Sequence, residues 1–260
     1  MRVCAMQMDV VKGNRKANYD TVRRLTEEAM QAACSPEVLV LPELWSTGYA
    51  LESAEELASP LGEEEAVFLG ELAARHHVAF AGGSVLSLRD GDVYNRAQVI
   101  DREGRYVAGY DKIHLFRLMD EDKYLAQGKE ALWFELGDMR CAAAICYDIR
   151  FCELIRKLAV GGAEVLFVSA EWPLPRREHW VTLLRARAIE NQMYVVACNR
   201  CGVTGHEVFG GNSMIVAPDG TVLAQADTGE SMVCADIDPD FVRQTRDKIQ
   251  VFRDRVPSLY

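Results

Sequence analysis

The chain has 260 residues, enough for one large α/β domain or two small ones. Apolar residues make up 49% and charged residues 26%, an ordinary globular composition with the mass for a sizeable core. The formal net charge of −10 and the lack of any run of Lys and Arg argue against nucleic acid as a partner, and no apolar run approaches the ~20 residues that cross a membrane.

The first residues, Met-Arg-Val-Cys-Ala-Met-Gln-Met-Asp, carry no apolar signal region and no cleavage site, so the expected compartment is the cytoplasm. The eight cysteines (Cys4, Cys34, Cys141, Cys146, Cys152, Cys198, Cys201 and Cys234) are then expected as free thiols, most of them buried in apolar strands. Apolar alternation predicts a strand over 2–8, and Asn14 is placed to cap a helix running to about Ala33. Val38-Leu39-Val40-Leu41 fits a strand buried on both faces, ending at Pro42-Glu43.

A second helix is predicted over 63–77, with an acidic first turn suited to the helix dipole. Strand 78–86, interrupted by Gly82-Gly83, is followed by an Asp90-Gly91 turn and a hairpin of 93–101 and 105–110. A loop of roughly eighteen residues, 111–128, carries Lys112 and is long enough to be functional or disordered. Strands 132–136 and 140–145 form the next pair, and the second ends at Cys146.

Helix 151–160, strand 164–169, the amphipathic helix 176–192 and strand 194–199 come next. Three strands (213–217, 221–226, 232–237) precede a last helix at Asp238-Pro239. No linker or repeat divides the chain, so residues 1–260 read as one domain, with 251–260 an extended C-terminal arm. Two similar halves would pack as two sheets with helices outside.

Three strand ends supply a carboxylate (Glu43), an ammonium (Lys112) and a thiol (Cys146), the parts needed to split a carbon–nitrogen bond through a thioester. Alone, each has a plain structural reading: a capping carboxylate, a solvated loop lysine, a buried strand cysteine. Cys146 stands at a strand-to-helix turn, where a helix N-terminus and a nearby cation would lower its pKa. Lys112 and the Tyr147 backbone N–H are placed to hold an oxyanion, with Glu43 as general base.

The Glu43, Lys112 and Cys146 neighbourhoods, Leu-Pro-Glu-Leu-Trp-Ser-Thr-Gly-Tyr, Tyr-Asp-Lys-Ile-His-Leu-Phe and Ala-Ile-Cys-Tyr-Asp-Ile-Arg-Phe, resemble the nitrilase, or carbon–nitrogen hydrolase, superfamily over nearly the whole chain. The resemblance implies an α/β fold, a four-layer α-β-β-α sandwich, and a Glu43-Lys112-Cys146 triad. It also implies a supporting second glutamate, Glu121, nine residues after Lys112, and a homodimer or higher homo-oligomer paired across helices 151–160 and 176–192. Lys-Ile-His-Leu-Phe-Arg-Leu-Met-Asp-Glu, Trp-Pro-Leu-Pro-Arg and Cys198-Asn-Arg look like the ω-amidase branch, which deamidates 2-oxoglutaramate and 2-oxosuccinamate. One departure is Glu171, where the family commonly has Asn before Trp-Pro.

Arg150 is either a fork for the substrate's far carboxylate or the ion-pair partner of Asp148 or Glu153. Phe116 and Trp172 are either pocket walls or plain core. Cys198 and Cys201 have half a zinc-site spacing but no second pair; Gly82-Gly83 and Gly210-Gly211 lack a phosphate loop's Lys-Ser/Thr. The histidines form no ligand pattern, so no cofactor and no metal are expected. The expected activity is hydrolysis of a small ω-amide; the alternatives are another small amide or N-carbamoyl substrate, or a catalytically idle interaction scaffold.

Overall fold

In the computed structural model, which describes residues 1–32 and 35–259, Arg2–Gln7 forms strand β1. Its side chains alternate between two apolar clusters: Val3 and Ala5 enter one, Cys4 and Met6 the other. A strand covered on both faces needs no polar side, which is why the segment reads as a nearly continuous apolar run. Asn14 caps helix α1 (Arg15–Gln31), its Oδ1 accepting from the Ala17 N–H at 3.1 Å. The expected helix end at Ala33 and the Cys34 thiol lie outside the described residues.

Strand β2 (Val38–Val40) repeats the two-faced burial, with Val38 and Val40 on one side and Leu39 on the other. A short helix α2 (Ala54–Leu57) and a two-residue strand β3 (Ser59–Pro60) precede helix α3 (Glu63–His76). Strands β4 (Ala79–Arg89), β5 (Asp92–Ile100) and β6 (Tyr106–Asp111) form an antiparallel meander. The Gly82-Gly83 interruption is a shift of register between Ala81 and Ser84. Gly83 has φ +84°, and a Cβ there would lie 2.7 Å from Leu41 Cβ, so only glycine fits.

After helix α4 (Glu121–Tyr124) come β7 (Trp133–Leu136), β8 (Met139–Ile145), helix α5 (Cys152–Val160), β9 (Val165–Ala170), helix α6 (Arg177–Asn191) and β10 (Tyr194–Asn199). A small hairpin of β11 (Val203–Thr204) and β12 (Glu207–Val208) leads to β13 (Met214–Val216), β14 (Val222–Gln225), β15 (Ser231–Asp236) and helix α7 (Pro239–Lys248). One sheet has the order β15-β1-β2-β4-β5-β6, with β3 added beside β4; the other has β14-β13-β10-β9-β8-β7. The sheets stack with β1 facing β10 and β4 facing β9. Helices α1 and α3 cover the first sheet, and α5 and α6 cover the second, giving the four-layer α-β-β-α sandwich.

The two halves are not closed units. β15 crosses back to the first sheet and pairs antiparallel with β1, Arg2 opposite Asp236. The Arg2 guanidinium forks onto the Asp236 carboxylate at 2.8 and 2.7 Å. The C-terminal segment also departs from the expected extended arm: residues 251–254 turn, and Pro257–Leu259 forms a single 3₁₀ turn. The reason is Phe252, which packs against the core with the Arg156 and Arg246 guanidiniums 5.5 and 5.0 Å from its ring centre. Tyr260, the last residue of that arm, lies outside the described residues.

Candidate active site

Glu43 follows the end of β2, where the two sheets come together. Its N–H donates to Ala170 O, at the end of β9 in the other sheet, at 3.4 Å. Lys112 immediately follows β6 and is held from both sides of its peptide: its N–H donates to Asn95 O and its carbonyl accepts from the Gly128 N–H, each at 2.9 Å. A Cβ on Gly128 would stand 1.9 Å from Asp111 O, so a glycine is required where the 111–128 segment returns to its base. That segment is not a plain loop; it contains a 3₁₀ turn at Arg117–Met119 and then α4, whose first residue is Glu121.

These placements gather the side chains of Glu43, Tyr49, Asn95, Lys112 and Glu121. Lys112 Nζ donates to Glu43 Oε1 at 2.7 Å and to Glu121 Oε1 at 2.6 Å, and all three side chains are fully buried. Glu43 Oε1 also accepts from Asn95 Nδ2 at 2.8 Å and from Tyr49 OH at 3.0 Å, while Oε2 accepts from the Glu171 N–H at 2.9 Å. Tyr49 OH bridges to Glu121 Oε1, and Glu121 Oε2 accepts from the Phe116 N–H at 2.9 Å. Burial alone would pull the Lys112 ammonium below its ordinary pKa; Glu121 and Glu43 overcome it and hold the group charged. Burial, then the nearby Glu43, push Glu121 up against the opposing pull of Lys112.

Cys146 directly follows β8 with φ +47°, a left-handed conformation rare for a residue with a Cβ. The turn it opens is a five-residue 3₁₀ helix, Cys146–Arg150, not the start of α5. Asp148 fastens this turn. Its Oδ2 accepts from the Ile145 N–H at 2.9 Å and from Tyr110 OH at 2.7 Å; its Oδ1 accepts from the His114 N–H at 3.1 Å. One carboxylate thereby locks the cysteine turn to the segment that carries Lys112.

The thiol does not follow the expected lowering. Burial first, and Glu43 second, push the Cys146 pKa well above the ordinary thiol value, and Lys112 opposes them without prevailing. The cation seen in the sequence is present, but it is already claimed by two carboxylates. Cys146 therefore rests as a neutral thiol.

A narrow cleft opens on Cys146 and is bordered by Phe116, Tyr147, Arg150, Glu171, Trp172 and Arg176. The ion pairs weighed for Arg150 do not form: Asp148 is occupied as described, and Glu153 accepts from Cys152 Sγ at 3.5 Å. Arg150 instead lies over the Trp172 ring at 4.8 Å and meets His179 Nδ1 at 3.2 Å. Arg176 stands 5.5 Å from the Phe116 ring centre, and Trp172 Nε1 donates to its carbonyl at 2.8 Å. Neither arginine has a carboxylate partner among the described residues.

Tyr147 is the second residue of the 3₁₀ turn, so its N–H has no partner within that turn and lies next to the thiol. Cys198 and Cys201 are both buried free thiols, and Cys198 Sγ donates to Met6 O at 3.3 Å.

Three contributors escaped the sequence reading. Asn95 sits in the middle of a strand, where Asn is disfavoured, and that was its available signal. Tyr49 and Arg176 belong to phrases singled out in the sequence, but nothing in one dimension distinguishes them from core or surface.

The sequence model of the carbon–nitrogen hydrolase family matches residues 2–247. A 2-oxoglutaramate amidase of Bacillus subtilis (strain 168) is 44% identical over 258 residues, covering 99% of this chain and 98% of that protein. The omega-amidase YafV of Yersinia enterocolitica is 34% identical over 263 residues, covering 100% and 96%. Among solved structures, a CN-hydrolase superfamily protein of Xanthomonas campestris with an arsenic adduct in its active site superposes with a TM-score of 0.91 at 28% identity, covering 98% of this chain and 97% of that one.

Proposed function

Since the chain belongs to the carbon–nitrogen hydrolase family, we propose that it hydrolyses the ω-amide of a small 2-oxo dicarboxylic acid, 2-oxoglutaramate or 2-oxosuccinamate, releasing ammonia through a thioester on Cys146. The observation that carries the reading is a single cleft bordered by the thiol at one place and by two carboxylate-free guanidiniums, Arg150 and Arg176, at another. That set of groups, one nucleophile and two cations, matches a short chain with an amide at one end and a carboxylate at the other. Phe116 and Trp172 wall it.

In this mechanism Glu43 takes the thiol proton as Sγ attacks the amide carbonyl carbon. The oxyanion is held by Lys112 and the Tyr147 N–H, which need no reorganisation because the Lys112 ammonium is already fixed by two carboxylates. Glu43 returns the proton to nitrogen, the C–N bond breaks and ammonia leaves. Water, deprotonated by Glu43, then attacks the thioester and restores the thiol. Glu121 supports the site by fixing Lys112 and the Phe116 peptide.

The test is ammonia release across ω-amides, neutral amides, N-carbamoyl compounds and nitriles. The reading expects 2-oxoglutaramate or 2-oxosuccinamate to lead, and a neutral amide or carbamoyl substrate leading would overturn it. Arg150→Lys replaces a planar fork by a point charge and is expected to raise KM for the carboxylate-bearing amides about tenfold, leaving kcat near its original value. Arg176→Ala should act in the same direction, and an equal effect on neutral amides would remove both residues from carboxylate binding.

The same reading places the enzyme in the cytoplasm as a homodimer or larger homo-oligomer, paired across α5 and α6. Those helices leave Val160 and Ile189 each 49% exposed. No helix among the described residues is long and apolar enough to cross a membrane.

A further inference from the structure

Glu171 directly follows β9 and is fully buried at the edge of the Cys146 cleft. Its backbone N–H is given to Glu43, and its Oε2 accepts from Arg200 at 3.1 Å. Its Oε1 lies beside Gly48, is shielded from solvent and has no hydrogen-bond partner among the described residues. Arg200 does not need Glu171 as its counter-ion, because it also pairs with Asp9 Oδ1 at 2.8 Å and donates to the carbonyls of Val10 and Cys201 at 2.7 and 3.1 Å. Phe209 covers its face at 4.0 Å. The carboxyl group is thus clamped at one oxygen and left free at the other.

We propose that Glu171 determines specificity by donating a hydrogen bond from Oε1 to the 2-oxo oxygen of the substrate. This rests on the substrate reading above and deepens it. Arg200 only donates, so Oε2 must accept and any proton must sit on Oε1. Burial, with Glu43 adding to it and Arg200 opposing, raises the Glu171 pKa to about 8, so the neutral acid prevails at neutral pH. The titratable and charged groups around it are Arg200 and Asp9, the triad residues Glu43, Lys112 and Cys146 with Tyr49, and Arg150 and Arg176 on the same cleft. A neutral Glu171 adds no repulsion toward an anionic substrate, and its O–H needs an acceptor that none of the described residues supplies. In 2-oxoglutaramate, the oxo oxygen lies between the carboxylate end and the amide end.

The experiment compares kcat/KM for 2-oxoglutaramate and for glutaramate, which has methylene in place of the oxo carbon, in wild type, Glu171→Gln and Glu171→Leu. In Glu171→Gln the amide oxygen must face Arg200, so its NH₂ replaces the O–H. Wild type is expected to prefer the oxo substrate by about 30-fold. Glu171→Gln should keep most of that ratio, and Glu171→Leu should bring it close to one while still cleaving glutaramate. The pH profile is a second readout that survives poor folding of the Leu variant. Wild-type kcat/KM for the oxo substrate should fall as pH rises through about 8, and that fall should vanish in Glu171→Gln. A Leu variant that keeps the ratio, or a Gln variant with an unchanged alkaline fall, overturns the proposal. A wild type releasing ammonia from neither compound overturns the substrate reading itself, whatever the variants do.

Discussion

Replacing Cys146 with alanine is expected to lower ammonia release from 2-oxoglutaramate by about 10⁵-fold or more, a loss of about 7 kcal/mol of transition-state stabilisation. No neighbour can stand in for the sulfur. Glu43 and Glu121 are both tied to Lys112, and Tyr49 OH is committed to the same two carboxylates. Water attacking directly would need a second base in a site whose carboxylates are already engaged. The change is small sterically, because alanine keeps the Cβ at φ +47° and the turn stays fastened by Asp148. The variant should therefore fold like wild type and still bind substrate. Single-turnover assays at high enzyme concentration, with circular dichroism as the folding control, make the comparison. A residual rate within a hundredfold of wild type would show that the reaction does not pass through sulfur.

Glu43→Gln carries the second large effect, a fall of about 10⁴-fold in kcat. In the proposed mechanism Glu43 serves every proton transfer of the cycle, so removing its basicity slows both formation and breakdown of the thioester. Geometry adds to the loss. The carboxylate accepts four hydrogen bonds, from Lys112, Asn95 and Tyr49 at Oε1 and from the Glu171 N–H at Oε2. A glutamine has one acceptor oxygen, so its NH₂ must confront a donor on one side or the other. Lys112 is then left with Glu121 as its one remaining carboxylate. Breaking one partner of a buried charged cluster costs on the order of 3 kcal/mol, so a lower melting temperature should accompany the kinetic loss. Glu43→Gln retaining a tenth of the wild-type kcat would assign the base to another residue.

The strand ends bearing Glu43, Lys112 and Cys146 were legible because each closes a short apolar run, and such runs mark buried strands whatever their partners. Pairing was less legible. β15 joins β1 across almost the full length of the chain, Arg2 opposite Asp236, and no local pattern encodes a contact of that separation. The short elements α2, β3 and the β11–β12 hairpin are held by tertiary packing and carry too few residues for a periodicity.

Electrostatics was the least legible. The sequence displays a lysine and a cysteine and invites a lowered thiol pKa. Only the fold reveals that two carboxylates share that lysine and that the sulfur is buried. The resting neutral thiol then follows, and with it the need for a base, the role proposed for Glu43. Asp148, weighed as a partner for Arg150, is instead the fastener of the cysteine turn, because Tyr110 OH and the His114 and Ile145 N–H groups reach it first. That left Arg150 without an ion pair and brought Arg176, unnoticed in the sequence, to the same cleft.

The central claim is that an acyl group passes through the sulfur of Cys146. Its most direct test is mass spectrometry of wild-type protein quenched in acid during turnover of 2-oxoglutaramate, followed by peptide mapping. The account predicts one 2-oxoglutaryl adduct per chain, confined to the peptide containing Cys146 and lost on exposure to hydroxylamine. Full turnover with unmodified Cys146 at every quench time, or an adduct on another cysteine, would contradict it.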